Sequence, residues 1–208
     1  MTELVDVIVC AHNEEATIAS VLAAIRGAPH HCATFVVADA CSDRTADLAW
    51  RAGAVVLPLE ARNKGSAMAE GLRHAHTETV AFVDADLRGL EARHVEQLLV
   101  SPPRPGMVVG LRDGAPSFLG RLPSISGERR MPRRLAEEAG LEGAGWQAEL
   151  RIASACQRAG LAWAHFLMDG VRNPRRNKTD EWLRVTGAAV RHAGPLGRMV
   201  LSARKVRP

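Results

Sequence analysis

Residues 63–87 read NKGSAMAEGLRHAHTETVAFVDADL, and this stretch predicts a helix, a buried strand and an acidic loop in succession. Residues 80–83 form an unbroken apolar run, as expected of a strand that is buried on both faces of a parallel sheet. Asp84 and Asp86 follow at the carboxyl end of that strand, the edge where open α/β sheets bind their ligands. Two carboxylates at this spacing, with oxygens from a substrate diphosphate, suit one Mg²⁺ or Mn²⁺ ion.

The preceding segments repeat this alternation of strand and helix. Further strands are predicted at residues 5–9, 35–37 and 54–57. The helices between them are indicated by Ile18, Val21, Leu22 and Ile25 at helical spacing, by residues 45–52, and by residues 64–66, which open the third helix. Asn13 is expected to cap the first helix, and Ser42 or Asp43 the second. The pattern predicts an α/β fold with a mostly parallel central sheet flanked by helices.

Composition indicates the class of protein and its compartment. With 208 residues, of which 47% are hydrophobic, the chain is long enough to bury a single substantial core. Its four cysteines are scattered without a Cys-X-X-Cys pair, so the sequence indicates neither a zinc site nor a disulfide framework. Since reduced thiols are typical of the cytoplasm, and no segment reaches the ~18 apolar residues of a membrane span, we expect a soluble cytoplasmic protein.

The charge distribution limits the partners. The net charge is +4, and the basic residues near the carboxyl terminus, Arg198, Arg204, Lys205 and Arg207, favour peripheral contact with an anionic membrane surface. With four Phe, four Trp and no Tyr, the chain lacks the aromatic and basic platform of single-strand nucleic-acid binders. Nucleic acid is therefore not an expected partner, and a homodimer is left open.

Four ordered motifs carry a resemblance to a known family. VDVIVCAHNEEATIASVL, VVADACSDRTADLA, NKGSAMAEGL and FVDADL resemble the nucleotide-sugar half of the family 2 glycosyltransferases, which have the GT-A fold. SISGERRMPRRL and GWQAELRIASACQRAGL resemble, more loosely, the acceptor-side helices of soluble members and of members that use polyprenyl phosphate. The resemblance implies a single domain over residues 1–208, in which the Pro/Gly-rich residues 101–106 link a nucleotide-sugar-binding half, 1–100, to an acceptor-side half, 106–208.

The activity implied by the resemblance is metal-dependent sugar transfer from a nucleoside-diphosphate sugar, UDP- or GDP-linked. The acceptor is left open among a small phosphorylated metabolite, a polyprenyl phosphate and a glycan, and so is retention or inversion of the anomeric centre. One alternative is a catalytically silent nucleotide-sugar binding module. The other is a nucleotidyltransferase, although the glycine-rich loop expected after its first strand is replaced here by AHNEE at residues 11–15.

On the nucleotide side, the resemblance implies substrate contacts from Ala11, Asn13, Glu14, Asp39, Lys64 and Asp84. Asp39 would accept an N–H of the base, and Lys64 would neutralise the diphosphate. Asp86 is the expected metal ligand and catalytic residue, holding Mg²⁺ or Mn²⁺ against the departing diphosphate. The structural alternatives are a turn-forming Asp39, a solvated Lys64, and a Glu14 that is favoured by the helix dipole.

On the acceptor side, Glu149 is the expected catalytic base, because the family commonly places an acidic residue near this position to deprotonate an acceptor hydroxyl. Glu128 and Glu142 are alternative bases, and pairing with Arg151 or Arg133 would make Glu149 structural. The remaining expected substrate-binding residues are Arg129, Arg172, Arg175, Arg176 and Lys178, the last four in a basic loop that can hold phosphate or be a solvated charge run.

Three features complicate the assignment. Ala38 stands where many members have the first of two consecutive aspartates, so one nucleoside contact is in doubt. Residues 170–178 contain no histidine, whereas several relatives place a metal-binding histidine there, so the metal must be held by Asp86 with phosphate and water, or by a further residue. Trp146 is predicted to lie in the core, with stacking on a sugar ring as the alternative.

Overall fold

One mixed sheet organises the computed structural model of the protein, which describes residues 3–102, 106–113 and 126–173. Its seven strands in these residues are β1 (Val5–Ala11), β2 (His31–Asp39), β3 (Val55–Leu59), β4 (Thr79–Asp84), β5 (Gly106–Arg112), β6 (Arg129–Pro132) and β7 (Ala162–Met168). The order across the sheet is β3-β2-β1-β4-β6-β5-β7. Neighbouring strands are parallel except at β6, which runs antiparallel to β4 and β5, so the predicted mostly parallel sheet is confirmed.

Helices cover both faces of this sheet. Those in the described residues are α1 (Ile18–Arg26), α2 (Thr45–Arg51), α3 (Lys64–His74), α4 (Ala92–Val100), α5 (Arg133–Glu138) and α6 (Ala148–Arg158). Alternate residues of a strand point to opposite faces. Val7 and Val9 of β1 accordingly pack in a core cluster with α1 and α4, whereas Ile8 packs in a second cluster with α3, α5 and α6.

The predicted succession of strands and helices is confirmed over the first half of the chain, but the predicted caps differ from those observed. Asn13 does not cap α1, which begins at Ile18 after Thr17. Its side-chain oxygen instead accepts the backbone N–H of Ser42 at 2.8 Å, because Asn13 takes a left-handed conformation (φ 55°) that turns it toward the loop after β2. At α2 the cap position is occupied by Arg44, which makes no side-chain cap hydrogen bond, while Asp43 accepts the backbone N–H of Thr45 at 2.9 Å.

The amino-terminal edge of the sheet is fastened by a buried carboxylate. Asp6, 1% exposed at the start of β1, accepts backbone N–H groups from Ala33 at 3.2 Å, His76 at 2.7 Å and Thr77 at 3.1 Å. Three donors, one from β2 and two from the loop between α3 and β4, therefore converge on one side chain. This edge lies opposite the acidic loop after β4.

Replacing Asp6 by alanine is expected to lower the free energy of unfolding by about 2–4 kcal/mol, because three backbone N–H groups lose a buried, charged acceptor. Urea unfolding followed by circular dichroism would measure the change. Asp169→Ala, at an exposed carboxylate, is the control and should stay within about 0.5 kcal/mol of the parent. Equal stability of the two variants would contradict the fastening role of Asp6.

All four cysteines, Cys10, Cys32, Cys41 and Cys156, are free thiols. Over residues 3–102, 106–113 and 126–173, no helix has both the length and the apolar character needed to cross a membrane. The described residues belong to one unit that ends at Asn173.

Candidate active site

The carboxyl edge of the sheet gathers three residues predicted from separate parts of the sequence. Asp84 ends β4, Lys64 opens α3, and Glu149 lies in the first turn of α6. The Nζ atom of Lys64 is 2.9 Å from Asp84 Oδ1 and 2.7 Å from Glu149 Oε1. One ammonium group therefore joins the end of β4 to the predicted catalytic base in the first turn of α6.

Close packing between α3 and the loop before α6 places Lys64 there. A methyl group on Gly65 would lie 2.3 Å from the carbonyl oxygen of Leu141, so only glycine allows this approach. Asn63 caps α3 by accepting the N–H of Ser66 at 3.1 Å, and the same oxygen accepts the N–H of Gly145 at 3.0 Å. The side-chain amide of Asn63 thus holds the start of α3 against the loop before α6. This brings Lys64 of α3 next to Glu149 of α6.

The environment of Lys64 keeps it charged. Burial alone would lower its pKa, but the carboxylates of Asp84 and Glu149 outweigh that effect and raise the pKa above its ordinary value. Its side chain is only 13% exposed. The structure thus excludes a solvated surface lysine, and the predicted contact with the diphosphate stays a prediction.

Arg112, which the sequence analysis did not single out, is a second cation at Asp84. Its Nη1 is 4.0 Å from Asp84 Oδ2, and its Nε is 3.6 Å from Glu128 Oε2. Glu128 is 1% exposed, and burial raises its pKa while Arg112 opposes the shift. The role of Glu128 as an alternative base stays a prediction. The sequence contained one signal for Arg112: like Asp84, it is a charged residue at the end of an apolar run, the position where a strand of the sheet reaches the site.

The alternative base Glu142 and the predicted partners of Glu149 are placed elsewhere. Glu142 has a 67% exposed side chain and accepts the hydroxyl of Ser66. Glu149 is 4% exposed and pairs with Lys64 instead of Arg151 or Arg133. Its predicted role as base therefore concerns a carboxylate that is already oriented by an ammonium group.

Arg129 holds the backbone at Glu149 in place. It is 0% exposed, and its guanidinium donates to the backbone carbonyls of Ser126, at 3.1 Å from Nε, and of Glu149, at 3.1 Å from Nη1. Burial lowers its pKa, whereas Glu149 and Glu128 act in the opposite direction. These contacts are structural, and the expected substrate contact of Arg129 stays a prediction.

Asp86 lies two residues beyond Asp84 and is half-buried. The side-chain amide of Asn173 donates to its Oδ2 at 2.5 Å. Arg172 has an exposed side chain, and its backbone pairs with that of Arg88 in the acidic loop. The other basic-loop candidates, Arg175, Arg176 and Lys178, lie outside the described residues.

Asp39 shapes the predicted nucleoside side of the site. It is 5% exposed, and its two carboxylate oxygens accept the backbone N–H groups of Arg62 and Asn63, each at 2.8 Å. This is the turn-forming role that the sequence left as an alternative, here applied to the loop between β3 and α3. Because each oxygen carries a second lone pair, contact with a base remains compatible with this geometry and stays a prediction.

Left-handed backbone conformations mark the loops around Asp39. Asn13, Ala40 and Arg62, one after each of β1, β2 and β3, have φ values of 55°, 51° and 49°. Such conformations cost on the order of 1–3 kcal/mol and concentrate at functional sites.

The remaining predicted nucleotide-side residues lie at the end of β1 and just after it. Ala11 is buried at the end of β1, and Glu14 donates its backbone N–H to Thr45 Oγ1 at 2.7 Å. The substrate contacts of Ala11, Asn13 and Glu14 stay predictions.

The predicted core position of Trp146 is wrong. Its side chain is 57% exposed, because the short 3-10 turn Gly145–Gln147 presents it outward while Ala148 and Ile152 of α6 take the buried positions. The Nζ of Lys64 lies 5.5 Å from the centroid of the indole ring, within the range of a cation–π contact. Trp146 therefore borders the charged cluster.

The donor set at this edge suits a hard cation. Asp84 and Asp86 offer carboxylate oxygens at the end of β4, the ligand type that Mg²⁺ and Mn²⁺ prefer. Within the described residues, no group of three or more histidine, cysteine, aspartate and glutamate side chains comes together around one point.

Solved structures of glucosyl-3-phosphoglycerate synthase from Mycobacterium tuberculosis are similar to this protein. The complex with Mn²⁺, UDP and glucosyl-3-phosphoglycerate is 24% identical, with a TM-score of 0.67, and the match covers 86% of this chain and 75% of that chain. The complex with Mn²⁺, UDP-glucose and phosphoglyceric acid is 22% identical, with a TM-score of 0.68 and the same coverage. The complex with Mg²⁺ and UDP is 24% identical, with a TM-score of 0.68, covering 86% and 74%. The predicted GT-A fold is confirmed by this similarity.

Sequence comparison assigns the family. None of the curated protein sequences compared with the chain matches it significantly. A model of glycosyl transferase family 2 matches residues 6–132, a segment that runs from β1 to the end of β6 and contains Asp39, Lys64, Asp84 and Asp86. Because this match spans more than half of a chain with the GT-A fold, the protein belongs to glycosyl transferase family 2.

Proposed function

We propose that the protein transfers a sugar from a UDP- or GDP-linked donor to an acceptor, with Mg²⁺ or Mn²⁺ held at Asp86. The observation that carries the proposal is the ammonium of Lys64, which contacts Asp84 and Glu149 beside Asp86 at the carboxyl edge of β4. The similar synthase structures hold Mn²⁺ or Mg²⁺ with UDP or UDP-glucose, which supports the same donor chemistry here.

Each residue at this edge has a distinct part in the proposed reaction. Asp86 would hold the cation, which when bound supplies charge stabilisation for the departing diphosphate. Glu149, oriented by Lys64, takes the proton of an acceptor hydroxyl on its carboxylate. The acceptor oxygen then bonds to the anomeric carbon as the bond between that carbon and the diphosphate breaks. The exposed ring of Trp146 offers an apolar face to a sugar next to these groups.

A donor screen tests this function. Released nucleoside diphosphate is measured with UDP-glucose, UDP-N-acetylglucosamine, GDP-mannose and GDP-glucose, each with Mn²⁺ or with EDTA. Release that depends on Mn²⁺ supports transfer. Nucleotide binding without release would indicate the silent binding module. A parallel assay with nucleoside triphosphate and sugar phosphate would indicate a nucleotidyltransferase if pyrophosphate is released.

Glu149→Gln separates the two chemical classes of acceptor. For an acceptor hydroxyl, loss of the base is expected to lower kcat by ~10² to 10⁴. For a polyprenyl phosphate acceptor, whose oxygen is already anionic, the loss should be far smaller. The measurement compares kcat of variant and parent with phosphoglycerate, glycan and polyprenyl phosphate acceptors. A small loss with a hydroxyl acceptor would contradict the role of Glu149 as base.

Asp39→Ala is expected to remove most of the rise in melting temperature that UDP or GDP with Mn²⁺ produces, because a ligand that binds only the folded state stabilises it by mass action. The variant should itself melt lower, since the N–H groups of Arg62 and Asn63 lose their acceptors. The quantity compared is therefore the ligand-induced shift. Asp43→Ala, which loosens the neighbouring loop, is the control and should keep that shift; an equal shift in both variants would show that the base is bound elsewhere.

Several finer assignments stay proposals. The exposed side chain of Arg172, next to the acidic loop, supports a contact between the basic loop and phosphate. Cytoplasmic localisation is supported by the four free thiols. Peripheral membrane contact and a homodimer rest on the sequence alone.

A further inference from the structure

A short strap, residues 170–173, connects the end of β7 to the loop that carries Asp86. Arg88 donates its backbone N–H to the carbonyl of Arg172 at 2.8 Å, and Arg172 returns a hydrogen bond to the carbonyl of Arg88 at 2.9 Å. This reciprocal pair is an isolated antiparallel bridge. The strap therefore runs directly alongside the acidic loop.

Further contacts fasten the strap before it reaches that loop. Val171 is 0% exposed in the core, and its carbonyl accepts the N–H of Asp113 at 2.9 Å. The carboxylate of Asp113 accepts the N–H of Gly170 at 3.1 Å. A methyl group on Gly89 would lie 2.4 Å from the carbonyl oxygen of Gly170, so the acidic loop and the strap approach as closely as glycine allows.

The strap delivers one side chain to the acidic loop. Asn173 is half-buried, and its amide donates to Asp86 Oδ2 at 2.5 Å. These residues are 87 positions apart in the chain. Because the backbone on both sides of the contact is held, the amide meets the carboxylate with little conformational freedom.

Within the described residues, the contacts of Asp84 and Asp86 differ. Asp84 contacts the cations Lys64 and Arg112, at 2.9 Å and 4.0 Å. Asp86 meets the neutral amide of Asn173, which can orient a carboxylate without cancelling its charge. A hydrogen bond to one oxygen fixes the plane of a carboxylate ligand, and such outer partners strongly influence metal affinity.

We propose that Asn173 is a positioning residue for Asp86, holding its carboxylate in the orientation that binds the divalent cation. The inference rests on the proposed function, because it assumes that Asp86 binds the metal. Asn173 acts through Asp86 and needs no contact with the substrate.

Asn173→Leu tests the proposal, because leucine keeps a similar volume and removes the donor. Binding of Mn²⁺ is titrated by electron paramagnetic resonance in two series, one with saturating UDP and one with saturating GDP. The dissociation constant for Mn²⁺ is expected to rise ~10- to 100-fold, as is typical when an outer partner of a metal ligand is lost. Raising Mn²⁺ to saturation should restore kcat toward the parent value, which a general structural defect would not allow.

Gln157→Leu, which changes an exposed amide on α6, is the matched control and should leave Mn²⁺ binding unchanged. Asn173→Ala provides the same comparison if leucine lowers the melting temperature. Mn²⁺ affinity within about two-fold of the parent in a well-folded Asn173 variant, or tighter binding, would overturn the positioning role while the proposed function stands. A parent protein that binds no Mn²⁺ with either UDP or GDP would overturn the proposed function and this inference together.

Discussion

Replacing Asp86 by alanine is expected to reduce sugar transfer by ~10² to 10³, because the departing diphosphate loses the cation that stabilises its charge. The fold should persist. Asp86 is half-buried at the mouth of the sheet and contributes a hydrogen bond with Asn173, so its loss should cost about 1 kcal/mol or less. Steady-state release of nucleoside diphosphate and the melting temperature are the two measurements.

Asp47→Ala is the control for this experiment, because it makes the same chemical change at an exposed carboxylate on α2. It should leave both activity and melting temperature near those of the parent. An Asp86→Ala protein that melts normally and turns over donor at the native rate, with Mg²⁺ and Mn²⁺ removed, would refute metal-dependent transfer at this position. Turnover of the donor would also exclude the catalytically silent binding module, because such a module has no turnover.

Replacing Lys64 by methionine is expected to lower the free energy of unfolding by about 3–5 kcal/mol, because it leaves the carboxylates of Asp84 and Glu149 buried without their shared cation. For a chain of this size, such a loss corresponds to a fall in melting temperature of roughly 6–20 °C. Methionine keeps the length of the apolar stem, so lost packing contributes little. Urea unfolding and differential scanning calorimetry would both report the change.

The exposed pair of Arg51 and Asp47 is the matched comparison, with side chains 68% and 47% exposed. Arg51→Met should change stability by at most ~1 kcal/mol, since water screens such pairs. Adding Glu149→Gln to Lys64→Met should recover part of the lost stability, because one of the stranded charges is removed. Equal effects of Lys64→Met and Arg51→Met would show that the buried cluster does not stabilise the fold.

Asp86→Ala and Lys64→Met distinguish the contribution of this edge of the sheet to catalysis from its contribution to stability. Asp86→Ala is expected to change turnover with little change in stability, whereas Lys64→Met is expected to change both. The difference follows from burial. The side chain of Lys64 is only 13% exposed and joins carboxylates from β4 and α6, while Asp86 accepts a hydrogen bond from the amide of Asn173 at a half-buried position.

The sequence by itself determined the order of strands and helices as far as β4, and the edge of the sheet at which the predicted site lies. Apolar runs such as residues 80–83 report burial on both faces, and helical spacing of apolar residues reports one buried stripe. Both are local properties, so neighbouring residues suffice to read them. The acidic pair Asp84 and Asp86 could be placed at the carboxyl end of a strand for the same reason.

Only the tertiary structure decided which side chains meet. Lys64 and Glu149 form an ion pair although they are far apart in sequence, Asp39 holds the loop after β3, and Trp146 is exposed beside the cluster. Each outcome depends on how closely two distant backbones approach, as where Gly65 admits the carbonyl of Leu141. Periodicity reports the face of an element and carries no information on that distance, which is set by packing between elements.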